Sequence, residues 1–170
     1  MMQVIFEDYL KNHRTMKKEE LMRRAIALAV ENVRQGGGPF GAVIARNGEI
    51  IAEGVNRVTA HNDPTAHAEV QAIRAACEKL STFDLSDCEI YASCEPCPMC
   101  LGAIYWARLH HLYFAATQHD AAEANFDDAF IYREIALPHS LRHLPTERMT
   151  TAEAGEPFRL WNAKTDKVAY

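Results

Sequence analysis

Apolar residues recur at helical spacing from Glu19 to about Gln35, where Leu21, Met22, Ala25, Ile26, Ala29, Val30 and Val33 share one side. The run Gly36-Gly37-Gly38-Pro39 then stops the predicted helix. Phe40 to Ala45 and Ile50 to Val55 are short apolar runs flanking Asn47-Gly48, the dipeptide best suited to a two-residue hairpin, so the two runs are expected to pair antiparallel. Asp63-Pro64-Thr65 precedes a second helical pattern from Ala66 to Leu80, with Val70, Ile73, Ala76, Cys77 and Leu80 along one face. The pattern next predicts a buried strand at Cys88 to Ser93, a helix from about Cys97 to Ala107 and a strand at His111 to Ala115. Beyond Ala115 it weakens: helical stretches between Ala121 and Leu137, a strand near Arg148 to Thr151 and a last helix near Pro157 to Lys164.

Helices alternating with strands pack on both faces of one sheet, and the opening hairpin makes that sheet mixed. The expected fold is therefore α/β, a three-layer α/β/α sandwich with a mixed central sheet. A chain of 170 residues without internal repeat or composition shift is expected to form one domain, 1–170. Residues 1–15 form a leader of unassigned role, and Met16, opening a Lys-Lys-Glu-Glu run, is a candidate natural start.

Composition and charge narrow the function classes. The formal net charge is -5 and the basic residues are scattered, which disfavours a nucleic-acid partner. Charges interrupt every apolar run, so no segment reads as a membrane span. The cysteines number five, an odd count, three of them lie between Cys94 and Cys100, and no signal-peptide pattern opens the chain. A reduced cytoplasmic protein is expected, in which clustered cysteines serve as metal ligands rather than as disulfides.

The segments His67-Ala68-Glu69 and Pro96-Cys97-Pro98-Met99-Cys100 carry the chemistry. A CxxC pair at a helix start puts two sulfurs on one face, and the positive helix end favours their thiolate forms. With His67 they make three ligands of the type zinc prefers, one Zn2+ per subunit, leaving the fourth tetrahedral position to water. Zinc lowers the pKa of such a water towards neutrality, and Glu69, two residues from a ligand, can handle its proton. The pairing of H-x-E with P-C-x-x-C is the signature of zinc nucleobase deaminases.

A structural zinc site would need a fourth ligand, for which Cys94 is the obvious candidate. Pro96 forces Glu95 towards extended geometry and leaves Cys94 at a strand end, whereas Cys97 and Cys100 share a helical face, so Cys94 is expected to pack beside the site. Cys77 and Cys88 read as core residues. His13, His110, His111, His119, His139 and His143 follow no ligand pattern, and only His61 lies near the site in sequence. The glycine run lacks the Lys-Ser or Lys-Thr of a phosphate loop and reads as a tight turn.

Four segments, GGPFGAVI at Gly37 to Ile44, NDPTAHAEV at Asn62 to Val70, SCEPCPMCLGAIYWAR at Ser93 to Arg108 and DAAEANFDDAFIYREI at Asp120 to Ile135, resemble the cytidine deaminase-like superfamily. Within it, the Phe126-Asp127-Asp128 triplet is similar to the bacterial guanine deaminases rather than to transfer-RNA adenosine or cytosine deaminases. The resemblance implies hydrolysis of guanine, a small purine base, at carbon 2 to xanthine and ammonia. It assigns Glu69 and Asp128 to catalysis and Asn56, Phe40, Trp106, Ala68 and Tyr170 to the base. It also implies a homodimer that exchanges C-terminal segments, with the terminal Tyr170 closing the partner's site. From the residues alone, Asp128 could be a helix-start or surface carboxylate, Asn56 a turn residue, Phe40 and Trp106 core, and Tyr170 a frayed end. Three functions stay in play: a guanine deaminase; a transfer-RNA adenosine, other nucleobase or aminotriazine deaminase; and a non-catalytic zinc-stabilised binding module.

Overall fold

The structure, a computed structural model, describes residues 15–170, so the expected leader lies outside the described residues except for Thr15. The chain divides into two compact units, one ending at Asp128 and the other spanning Ala129–Tyr170.

In the first unit α1 (Lys18–Arg34) leads to the hairpin β1 (Gly41–Arg46) and β2 (Glu49–Val55). A short α2 (Val58–His61) and α3 (Ala68–Leu80) follow, then β3 (Glu89–Cys94), α4 (Pro98–Trp106), β4 (His111–Ala116) and α5 (Gln118–Glu123). Asn47 and Gly48 both take positive φ, as the hairpin turn expected from their sequence requires. The sheet order is β2-β1-β3-β4. β1 runs antiparallel to both β2 and β3, whereas β3 and β4 are parallel across the α4 crossover, so the sheet is mixed as expected.

Strand alternation divides the core in two. Val43, Ala45 and Tyr91 pack with Leu21 and Ala25 of α1 on one face. Ala42, Ile44 and Ile90 pack with Ala68, Ala72 and Ala76 of α3 and Ile104 of α4 on the other. These two clusters are the seams of the three-layer sandwich. Burying a side chain the size of Leu21 or Ile44, both fully enclosed, contributes about 1.5–3 kcal/mol.

One close approach sets the position of the chemistry. A Cβ on Gly54 would lie 2.1 Å from the Ala68 carbonyl oxygen, so only glycine lets the first turn of α3 rest directly on β2. That contact brings the start of α3 against the sheet beside the ends of β1 and β3.

The second unit holds α6 (Ala129–Ala136), a 3-10 turn (His139–Leu141) and α7 (Glu156–Ala163). The strand expected near Arg148 to Thr151 does not form: the segment is exposed and without regular structure, and its apolar Met149 is 85% exposed. A lone segment without a neighbouring strand has no partner for its backbone groups, so its β-branched threonines do not suffice.

Candidate metal centre and base pocket

Two helix starts build the centre. Asp63 Oδ1 accepts hydrogen bonds from Thr65 N (2.8 Å) and Oγ1 (2.7 Å), closing a local turn, and these bonds hold the Asp63 carboxyl below its usual range. The Ala66 carbonyl accepts Arg57 N–H at 2.8 Å, tying this turn to the end of β2. His67 follows as the N-cap of α3, with Glu69 in the first turn. Across the site, β3 ends at Cys94, and Cys97 is the N-cap of α4 with Pro98 in its first turn. Proline fits there because its missing N–H would have had no helical partner.

The three expected ligands converge. Cys97 Sγ and Cys100 Sγ each lie 3.5 Å from His67 Nδ1, and all three ligand atoms fall within 4.8 Å of one another. Zinc bonds of about 2.0 Å to nitrogen and 2.3 Å to sulfur, at a tetrahedral angle, put nitrogen and sulfur about 3.5 Å apart, so the triad has the spacing of a zinc site. A hydrogen bond from Cys100, reinforced by His67, pulls the Cys97 thiol down to about 4. The same bond, with burial, pushes the Cys100 thiol upward. A bound cation would stabilise both thiolates.

Cys94 lines the same cavity but is not among the clustered ligand residues. Its Sγ contacts the Thr117 carbonyl at 3.5 Å, and burial pushes its thiol up to about 11, which keeps it neutral. Glu69 is 7% exposed, and burial raises its pKa above the ordinary carboxylate range, the direction a group trading protons near neutrality needs.

A cavity of about 520 Å3 opens over this triad, with His67, Cys97 and Glu69 in its wall. Asn56, Phe40 and Asp128 line it too, so residues 40, 56, 67, 97 and 128 meet in one place although they span most of the first unit. Asn56 Oδ1 accepts Val58 N–H at 3.3 Å, which orients the amide and leaves its NH2 as the free donor. Burial, and then the negative charge of Cys97, raise the Asp128 pKa. Ala68 is buried between His67 and Glu69. Trp106 is 68% exposed at the far end of α4 and does not line this cavity, and Tyr170, 72% exposed, belongs to the second unit.

Among the lining residues that carried no individual expectation, Phe126 and Glu95 have contacts that shape the cavity. Phe126 meets Phe40 edge to face, ring centroids 5.0 Å apart, and so supplies an apolar wall. Glu95 accepts Gln118 N–H at 3.0 Å, which pins the start of α5 to the cavity rim. Glu95 directly precedes the cysteine motif and Phe126 opens the Phe126-Asp127-Asp128 triplet, but neither pattern says which way these residues turn.

Comparison with known proteins agrees with this geometry. Residues 15–116 match the cytidine and deoxycytidylate deaminase zinc-binding region. The guanine deaminase of Bacillus subtilis (strain 168) is 55% identical over 91% of this chain and 100% of its own length. Its crystal structure superposes with a TM-score of 0.89 over 91% of this chain and 99% of that one. A guanine deaminase structure from Nitrosomonas europaea is 35% identical with a TM-score of 0.65, covering 71% of each chain. A tRNA-specific adenosine deaminase of Aquifex aeolicus is 42% identical, but over only 59% of this chain and 67% of its own. The site and fold together define a zinc-dependent hydrolytic deaminase. The chain belongs to the cytidine deaminase-like zinc deaminases and, within them, to the family of the Bacillus subtilis guanine deaminase.

Proposed function

We propose that this protein hydrolyses guanine at carbon 2, giving xanthine and ammonia. The observation that carries this reading is the presence of Asp128 in the same cavity wall as Glu69 and two of the ligand residues, His67 and Cys97. Guanine presents N–H donors at nitrogen 1 and at the exocyclic amine, and a carboxylate is an acceptor that suits that edge. Asn56 offers amide donors to the acceptors of the base, while Phe40 and Phe126 give apolar faces for its ring.

His67, Cys97 and Cys100 would hold a zinc ion, which when bound would supply a water activated for attack near neutral pH. Glu69 accepts the proton that this water gives up and passes it to the ring nitrogen beside carbon 2. Asp128 assists transfer of the proton still on the added oxygen to the exocyclic nitrogen, so that the carbon–nitrogen bond breaks with neutral ammonia leaving and the oxygen becomes the carbonyl. One water is consumed, and the carbonyl oxygen of xanthine comes from it. Walls of Phe40 and Phe126 limit bulk water around these transfers.

The working unit is proposed as a homodimer in which C-terminal segments are exchanged. Supporting this, no residue of 129–170 is buried within the subunit, and β4, one of the two edge strands of the sheet, leaves Phe114 44% exposed. On this reading Trp106 and the partner's Tyr170 face the base only in the dimer, and 1–170 is one deaminase domain completed between subunits. A cytoplasmic location is proposed as well, on the five unpaired thiols among the described residues, where no helix is long and apolar enough to cross a membrane.

Zinc-loaded protein given guanine and, separately, adenosine-containing transfer RNA tests the assignment. Xanthine with no inosine is expected; inosine without xanthine overturns it. The net charge of -5 disfavours the RNA substrate, which needs a basic surface. Asp128→Asn sharpens the test. It keeps the shape but loses the proton relay, and a fall in kcat of about 10- to 100-fold is expected. Unaltered turnover removes Asp128 from the reaction.

A further inference from the structure

Among the described residues one buried side-chain polar atom lacks a hydrogen-bond partner: Asn32 Oδ1, on a residue only 2% exposed. A buried acceptor left unpaired is costly, and an apolar side chain of the same size would avoid that cost. The other half of the amide accounts for its presence. Asn32 Nδ2 donates to the Gly38 carbonyl at 2.8 Å and to the Asn56 carbonyl at 2.9 Å, bridging two segments that both line the cavity. The assignment of the amide is secure, because turning it over would set Oδ1 against two carbonyl oxygens.

The glycine run fits around this bridge. Gly37 N–H donates to the Asn32 backbone carbonyl at 2.8 Å, and a Cβ on Gly37 would lie 2.4 Å from Asn32 Nδ2. A Cβ on Gly38 would approach the Asn56 side chain to 3.1 Å. Gly37 and Gly38 therefore pack directly against the two amides, and these glycines, which match no phosphate loop, serve that close approach.

We propose that Asn32 is a positioning residue for substrate binding, holding Asn56 and the Gly37-Gly38 rim where Asn56 meets the base. This rests on the reading of Asn56 as a base contact. Asn32 touches neither the ligand triad nor Glu69, so its loss acts on binding of guanine rather than on the chemical step.

The test is a double-mutant cycle of Asn32→Leu and Asn56→Ala in the zinc-loaded enzyme, following xanthine formation. Asn32→Leu removes both donors and the orphan acceptor together. A rise in KM of about tenfold is expected, the scale of two neutral hydrogen bonds, with kcat changed less than about threefold and zinc content unchanged. In the Asn56→Ala background the same substitution is expected to leave KM where Asn56→Ala put it. A fall in kcat at constant KM, or full additivity of the two KM effects, overturns the positioning role. If Asn56→Ala itself leaves KM unaltered, the base-contact reading falls and this proposal with it. If Asn56→Ala raises KM and Asn32→Leu does not, Asn32 alone is excluded. Should the leucine variant not yield folded protein, Asn32→Asp keeps the size, replaces the two donors by acceptors and is expected to raise KM in the same way.

Discussion

The two units of this chain use apolar residues in opposite ways. Up to Asp128, Leu21, Ile44, Leu85, Ile90 and Tyr91 are enclosed, and each helix that carries a functional side chain rests on the sheet. From Ala129 on, Phe130, Ile135, Leu144, Phe158 and Tyr170 are all exposed, and no residue is buried. A region that closes its own core can hold catalytic atoms in fixed geometry. A region whose large apolar side chains stay exposed is built to be covered by something else, because single exposed residues are ordinary but a whole segment of them is not. The ligand triad, Glu69 and Asp128 all lie in the first unit, and the exposed apolar side chains of the second fit the proposed exchange between subunits.

The largest effect expected from this division falls on Glu69. Glu69→Gln keeps the shape of a buried side chain but can no longer take and return a proton. A loss of about 10²- to 10⁴-fold in kcat is expected, with zinc content and thermal midpoint retained. Stoichiometric zinc in a variant with full turnover would break the assignment, since the chemistry would then owe nothing to that carboxylate.

A smaller effect separates the two units in stability. Ile44→Ala, at a fully enclosed site between β1 and α3, is expected to cost about 2–5 kcal/mol in chemical denaturation. Phe158→Ala, at a side chain 72% exposed within the subunit, is expected to cost less than about 0.5 kcal/mol in a protein that unfolds as a monomer. If Phe158→Ala costs more, and the cost grows with protein concentration, the second unit is covered by another subunit.

The contrast also explains what could be foreseen from residues alone. Helical periodicity located α1 and α3 within a residue or two because each has one buried face, and Asn47-Gly48 fixed the hairpin because few dipeptides accept two positive φ angles. The ligand triad was legible because its spacing is set by zinc, which demands particular atoms. Phe126 and Glu95 were not, because whether a loop residue turns into a cavity depends on contacts across the fold, here with Phe40 and with the start of α5. The expected strand at Arg148 to Thr151 failed for a related reason. Its threonines favour strand conformation, but a strand is a relation between two segments, and nothing local to 145–152 supplies the second.

That missing neighbour gives the narrowest test of how the two units divide the work. Glu69→Ala with an intact C-terminal segment is expected to be inactive, and, on the proposed exchange, a chain lacking residues 153–170 is expected to be severely impaired for want of Tyr170. When the two are unfolded together and refolded as an equal mixture, exchange of segments predicts that activity returns. Half of the dimers are then mixed, and each mixed dimer has one site with both Glu69 and an intact partner segment, so recovery should approach about a quarter of the wild-type value. If each segment serves its own subunit, no chain in the mixture carries both parts, and recovery stays at the level of the separate variants. An intermediate that appears only after joint refolding, and not on simple mixing, would mark the segments as interlocked rather than loosely docked.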